Sequence, residues 1–199
     1  DLYDLFVLDD DQIVFLIADA SGHGVGAALM SVILKLNVER YKDLLYRSQD
    51  SDSLESECLA LFMEKINKAM HDSLQGGRFA SCLVGIIDDK TGKVFLANAG
   101  HNEPIIWHHE SETVEEIRLE PNIVLGILPD AEFIVSEVQL THQDKLLVYT
   151  DGFNERMNTL DKEWGTHNLL HTFRENGSEY ITSIIRQIEL ACKTFAGGR

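Results

Sequence analysis

The hexapeptide Asp19-Ala20-Ser21-Gly22-His23-Gly24 stands between an apolar run, Ile13-Val14-Phe15-Leu16-Ile17-Ala18, and a long stretch of helical periodicity. The chain must pass there from a buried strand, through a tight turn, into a helix. Gly22 and Gly24 permit positive φ, which lets the backbone turn a carbonyl toward the same point as the Asp19 carboxylate. Carboxylate and carbonyl oxygens are the ligands a hard divalent cation takes. The same residues also suit a plain turn in which Asp19 caps the helix, and the hexapeptide alone leaves both readings open.

Strand-like runs at 2–8 and 12–18, joined by Asp9-Asp10-Asp11, read as a hairpin whose aspartates are solvated turn formers. From 25 to 47, Ala28, Leu29, Val32, Ile33, Leu36, Leu44 and Leu45 recur at helical spacing. A polar loop at 48–53 leads to a second helix over 54–74 with Cys58, Leu61, Phe62, Ile66 and Met70 inward, and the two helices form an antiparallel pair. The period then changes to that of strands at 79–87, 93–99, 104–109, 132–140 and 145–149. Helical patterns return at 169–173 and 180–195. Without an internal repeat or low-complexity linker, this order reads as one α+β unit, a sheet sandwich flanked by helix pairs.

Charge limits the partners. With 33 acidic against 17 basic residues and a formal net charge of -16, a nucleic acid or an anionic membrane surface would be repelled. Cys58, Cys82 and Cys192 lack metal-like spacing, which points to a reducing cytoplasm. No apolar run reaches the length of a membrane span and no signal or lipidation motif is present. The chain starts within a strand pattern, without methionine, and stops at Arg199 just after a helical one, so it reads as a piece of a longer protein, cut at both ends.

Five motifs occur in order: Asp1-Leu2-Tyr3-Asp4, the hexapeptide at 19–24, Asn98-Ala99-Gly100-His101-Asn102, Leu125-Gly126 and Tyr149-Thr150-Asp151-Gly152. This series resembles that of the bacterial PPM, or protein phosphatase 2C-like, metal-dependent serine/threonine phosphatases of the sporulation protein E and RsbU type. The resemblance covers nearly all of residues 1–199, as a single phosphatase domain. It implies an antiparallel β-sandwich with helix pairs on both outer faces, an α-β-β-α arrangement, and two Mn²⁺ or Mg²⁺ ions at one edge.

By resemblance, Asp19 bridges both metals, the carbonyl of Ala20 is a backbone ligand, Asp1 is the acidic residue of the first motif and Asp151 binds the other metal. Asp4, three residues from Asp1, would face the opposite side of a regular strand and is assigned a supporting role. Gly22, Gly24, Asn98, Gly100, His101 and Gly152 adjoin the site. His23 and His101 could donate to phosphate or act as general acid; hydrogen bonding to backbone at tight turns is the favoured role. Ser21 beside His23 lacks a third triad member and is not read as a nucleophile. The run Trp107-His108-His109-Glu110 alternates faces and reads as a hairpin end rather than a metal cluster, and 161–165 as a surface excursion closed by a buried Trp164.

The glycines of the family's first strand and its last acidic strand both fall outside this chain. Fewer carboxylates would hold the second metal less firmly. The implied function is hydrolysis of phosphoserine or phosphothreonine on a regulatory protein of the anti-sigma-factor antagonist type, in a partner-switching signalling pathway. An upstream sensor or receiver domain, or a homodimer contact, would act through the helix that starts at the metal turn. The alternative is a phosphatase-like adaptor, weakly active or inactive, that binds a signalling partner.

Overall fold

The computed structural model describes residues 1–9, 11–47, 52–73 and 77–197. Asp10 of the acidic turn, residues 48–51 of the polar loop, Leu74 at the end of the second helix and Gly198-Arg199 lie outside the described residues. The chain divides into two compact units, 1–101 with 119–139 and 102–118 with 140–199.

In the first unit, β1 (Leu2–Val7), β2 (Gln12–Ala20), β3 (Ala80–Asp88), β4 (Lys93–Ala99) and β7 (Ser136–Gln139) form an antiparallel sheet in the order β1-β2-β3-β4-β7. Val14, Leu16, Ala18, Cys82, Val84, Ile86, Phe95 and Ala97 belong to the core formed with α1 (Val25–Tyr41) and α2 (Asp52–Ser73). These strand residues share parity through the register, so they share one face. From α1 come Met30, Leu34 and Val38, and from α2 Leu59, Phe62, Met63, Ile66 and Met70. Phe15, Leu83, Val94 and Leu96, on the opposite face, are buried too.

Tight places are set by small residues. Phe15 and Gly85 face each other across β2 and β3, and a Cβ on Gly85 would come within 2.3 Å of the Phe15 ring. At the β1–β2 turn, Asp9 Oδ1 accepts the N–H groups of Asp11 and Gln12 at 2.9 and 2.8 Å, which makes Asp9 a turn former.

The second unit holds an antiparallel three-stranded sheet ordered β6-β5-β8, from β5 (Ile105–His108), β6 (Thr113–Glu116) and β8 (Lys145–Leu147). Ile105 and Trp107 pack with Trp164, with Leu169 and Phe173 of α3 (Gly165–Asn176), and with Ile184, Ile188 and Cys192 of α4 (Ile181–Phe195). The class is α+β with antiparallel sheets, each carrying a helix pair, as the sequence indicates.

Four details differ from the sequence reading. The first helix ends at Tyr41, and 42–47 continue as a 3₁₀ segment. Its inward residues are Met30, Leu34, Asn37 and Val38, whereas Ala28, Leu29, Val32 and Leu36 are exposed. This helix is apolar on more than one face, so periodicity cannot select the buried one. Leu61 is likewise partly exposed on α2. Strand β6 was not foreseen because Thr113–Glu116 has only Val114 as an apolar member, and β7 and β8 are shorter than their apolar runs.

Gly85→Ala is expected to destabilise the protein by about 1–3 kcal/mol through overpacking against Phe15. Urea unfolding would show it as a lowered midpoint; an unchanged midpoint would mean that the Phe15 ring has another place to go.

Candidate metal centre

Strand β2 delivers Asp19 and Ala20 to the mouth of the turn. In the β2–β3 register Asp19 faces Ser81 and Ala20 faces Ala80. The Ala80 N–H and carbonyl both pair with Leu125, at 3.1 and 2.9 Å. Antiparallel neighbours alternate between hydrogen-bonded and non-hydrogen-bonded pairs. Ala20 and Ala80 are therefore of the second kind, and the Ala20 carbonyl points away from β3, toward the β1 side. Asp1 lies on that side: its main-chain nitrogen is 3.8 Å from Asp19 Oδ1.

The ladder continues one pair further. Ser21 N–H donates to the Phe79 carbonyl at 2.9 Å, and Phe79 N–H donates to Ser21 Oγ at 3.1 Å. Beyond it, Gly22 and Gly24 take φ of +88° and +76°, the left-handed region that favours glycine. Gly24 is the N-cap of α1, without a side-chain cap, so Asp19 does not serve as that cap. The turn is shaped by backbone and by Ser21.

The Asp19 side chain is about one-third exposed, at 32%. Among the described residues, its carboxylate accepts no hydrogen bond from a side chain. The Asp19 carboxylate and the Ala20 carbonyl put oxygen atoms on the rim of β2, on the side where Asp1 lies, and oxygen is the donor type a hard cation takes. Among the described residues, no group of three or more His, Cys, Asp or Glu could hold a metal ion.

Asp4 sits elsewhere. It faces Leu16, on the α1 side of the sheet, and its Oδ2 takes the Lys35 Nζ at 2.5 Å. Lys35 also reaches Glu39 at 2.8 Å. Glu39 is further contacted by Lys42, and the two ammonium groups hold its carboxyl down at about 2. Asp4 thus ties β1 to α1.

His101 is buried at the end of β4. Its N–H donates to Asn98 Oδ1 at 2.7 Å, Asn98 Nδ2 donates to the His101 carbonyl at 3.0 Å, and His101 Nδ1 hydrogen-bonds Ser81 Oγ at 2.9 Å. Because Ser81 faces Asp19 across the ladder, His101 reaches the Asp19 face through one hydroxyl. Gly100 turns the chain at φ +68°, where a Cβ would meet Val124 at 2.5 Å. Leu125 pairs with Ala80, and the Gly126 N–H donates to the buried Asn67 Oδ1 at 2.8 Å. The exposed His23 lies in the turn itself.

Sequence reasoning missed Ser81 and Asn67. Ser81 was findable only by pairing 79–87 with 12–18 in register. Cys82, next to Ser81, has its thiol pushed up by complete burial and is inert. In the second unit, half-buried Asp151 follows β8 and the buried Tyr149, and its carbonyl accepts the Glu155 N–H at 2.9 Å; exposed Gly152 comes next.

The family model of Stage II sporulation protein E (SpoIIE) matches residues 9–199, across both units. The chain belongs to the SpoIIE family. It is a bacterial PPM, PP2C-like phosphatase domain of the SpoIIE and RsbU type. Among curated relatives, Protein IcfG of Synechocystis sp. is 24% identical over 207 residues, 94% of this chain and 32% of that protein. The phosphoserine phosphatase RsbP of Bacillus subtilis is 26% identical over 156 residues, 76% of this chain and 36% of that one. The chain thus spans about a third of the length of these relatives.

Among solved structures, the SiaA-PP2C domain of Pseudomonas aeruginosa superposes with TM-score 0.82 at 16% identity, covering 98% of this chain and 74% of that one. RsbX in complex with magnesium gives 0.62 at 19% identity, covering 99% and 80%. At such identities the likeness shows the shared fold.

Gly22→Ala is expected to lower stability by about 1–2 kcal/mol from backbone strain alone, because a Cβ there meets nothing within 4 Å. Gly22→Asn should lose less than Gly22→Ala in the same denaturation series, since Asn tolerates positive φ; the reverse order would show that φ is not the limiting factor.

Proposed function

We propose that this SpoIIE-family domain hydrolyses phosphoserine or phosphothreonine on a regulatory protein, with residues 1–199 acting as one phosphatase domain. The observation that carries this reading is the Asp19 carboxylate on the strand rim with the Ala20 carbonyl turned to the side of Asp1. Asp1, Asp19 and Ala20 would hold Mn²⁺ or Mg²⁺, with Asp151 as the further ligand that the family resemblance implies and the second of two ions more weakly bound. Such ions lower the pKa of water and stabilise charge on a transferring phosphoryl group.

The chain's own groups fill supporting roles. Asp19 would hold the cations, and Gly22 and Gly24 keep the turn free of side chains on the approach to it. His23, exposed in that turn, would donate a proton to the leaving seryl oxygen. Ser21 is not needed as a nucleophile when metal-activated water attacks, and its Oγ accepts the Phe79 N–H. His101 is held by Asn98 and Ser81 and orients the Asp19 face.

The substrate we infer is a protein of the anti-sigma-factor antagonist type, with an upstream sensor or receiver domain as input and a homodimer as one route of control. Partner switching of this kind agrees with the relatives named as phosphoserine phosphatases. Cytoplasmic residence fits three buried cysteines, Cys58, Cys82 and Cys192, that form no disulfide. Among the described residues, no helix is long and apolar enough to cross a membrane. The adaptor reading draws on the small carboxylate set within the described residues.

Mn²⁺-dependent phosphate release from a phosphoserine peptide should fall by about a hundredfold or more in Asp19→Asn, with Mn²⁺ affinity weakened in calorimetry and the circular-dichroism spectrum unchanged. Equal turnover in both proteins would remove Asp19 from the site. Metal binding without turnover in either would favour the adaptor.

A further inference from the structure

We propose that Arg78 holds the phosphoryl group of the substrate, an assignment that rests on the phosphatase reading above and adds a residue to it. The ladder places it. Asp19 faces Ser81, Ala20 faces Ala80, and Ser21 exchanges two hydrogen bonds with Phe79. Arg78 is the next residue, so its backbone lies alongside the 19–24 turn and is tethered to it by the Ser21–Phe79 pair.

Its side chain reaches the far end of that turn. A Cβ on Gly26, in the first turn of α1, would be 3.0, 3.1 and 3.1 Å from Arg78 Nη1, Cζ and Nη2. Three nearly equal distances mean that the guanidinium lies flat against Gly26. Its N–H donors radiate in the plane of the group, so this stacking leaves them free for a planar or tetrahedral oxyanion. A Cβ at Gly26 would make the guanidinium shift by a few tenths of an ångström, so glycine gives the group its close seat here.

The donors are uncommitted. Arg78 is exposed, and no ion pair or hydrogen bond to its side chain occurs among the described residues. This is unusual for the neighbourhood: Lys35 and Lys42, on or just after the same helix, are both engaged by carboxylates. The first turn of α1 contains no acidic residue to pair with Arg78. In a chain of net charge -16, a free guanidinium beside the candidate metal turn is a local reversal of sign that selects an anion. A phosphomonoester, whose charge approaches -2, is matched by bidentate donation from one guanidinium.

The test uses the Mn²⁺-loaded chain, its Arg78→Ala and Arg78→Lys variants, and two readouts: calorimetric titration with inorganic phosphate, and steady-state kinetics on a phosphoserine peptide. Arg78→Ala should weaken phosphate binding and raise KM by roughly tenfold or more, with a smaller change in kcat. Arg78→Lys should recover part of both, as a point charge without bidentate geometry. Unchanged phosphate affinity in Arg78→Ala would overturn the assignment; if KM alone rose, Arg78 would be reading the peptide flank rather than the phosphoryl group. Should the wild-type chain show no turnover, the phosphatase reading fails, and the phosphate titration still decides whether Arg78 holds an anion.

Discussion

Everything at the candidate centre depends on the hydrogen-bond parity of β2. Odd-numbered residues at its end pair with β3 and even-numbered ones point their amide groups toward β1, as the Ser21–Phe79 and Leu8–Gln12 bonds show. One consecutive pair of residues therefore does two jobs. Asp19 presents a side chain on one face, and Ala20 presents a carbonyl at the edge where β1 ends. A one-residue slip would exchange these roles, sending the carboxylate into the helix-side core with Ala18 and Cys82. The buried runs Val14-Leu16-Ala18 and Cys82-Val84-Ile86 prevent that slip, because it would also turn their apolar side chains off the core. Core packing is thus what sets the position of the carboxylate.

The same constraint passes into α1. The helix begins directly after Gly24, is fastened to β1 by Lys35 on Asp4, and carries Gly26 beneath the Arg78 guanidinium. Half of its apolar surface enters the core through Met30, Leu34 and Val38, while Val25, Leu29, Val32 and Leu36 stay exposed. The part-buried Lys35–Asp4 salt bridge fixes where α1 sits on β1. A displacement of α1 would be felt first at its N-terminus, where the turn has two glycines and no side-chain cap to resist it.

How much of this was legible beforehand varies with the physics of each feature. Strands β1 to β4 were readable because their apolar residues recur with the period of two or fill short buried runs. The turn was readable because glycine at positive φ is a local requirement. Strand β6 escaped because a polar edge strand is held by backbone pairing to β5, which leaves little trace in side-chain pattern. The inward face of α1 escaped because an apolar helix offers several faces to choose from, and only the sheet it meets decides among them. Ser81 and Arg78 escaped for one shared reason: each acts on the 19–24 turn from about sixty residues away, through register. Family likeness supplied Asp1 and Asp151 as candidates, while strand alternation set Asp4 on the opposite face from Asp1; only the partner of Asp4 there, Lys35, was not legible.

The Ser-Gly-His sequence shows why residue identity alone misleads at such a turn. A serine next to a histidine suggests a nucleophile and its base, but that pairing requires the hydroxyl to donate toward the imidazole. Here the Ser21 oxygen is an acceptor for the Phe79 N–H, extending a sheet ladder by one rung, and Gly22 at φ +88° turns the chain before His23. The hydroxyl oxygen thus serves the backbone geometry of the turn. What that geometry leaves at the turn, among the described residues, is the Asp19 carboxylate on one flank and the unpaired Arg78 guanidinium on the other; on the proposed phosphatase reading, the first would face a cation and the second an anion.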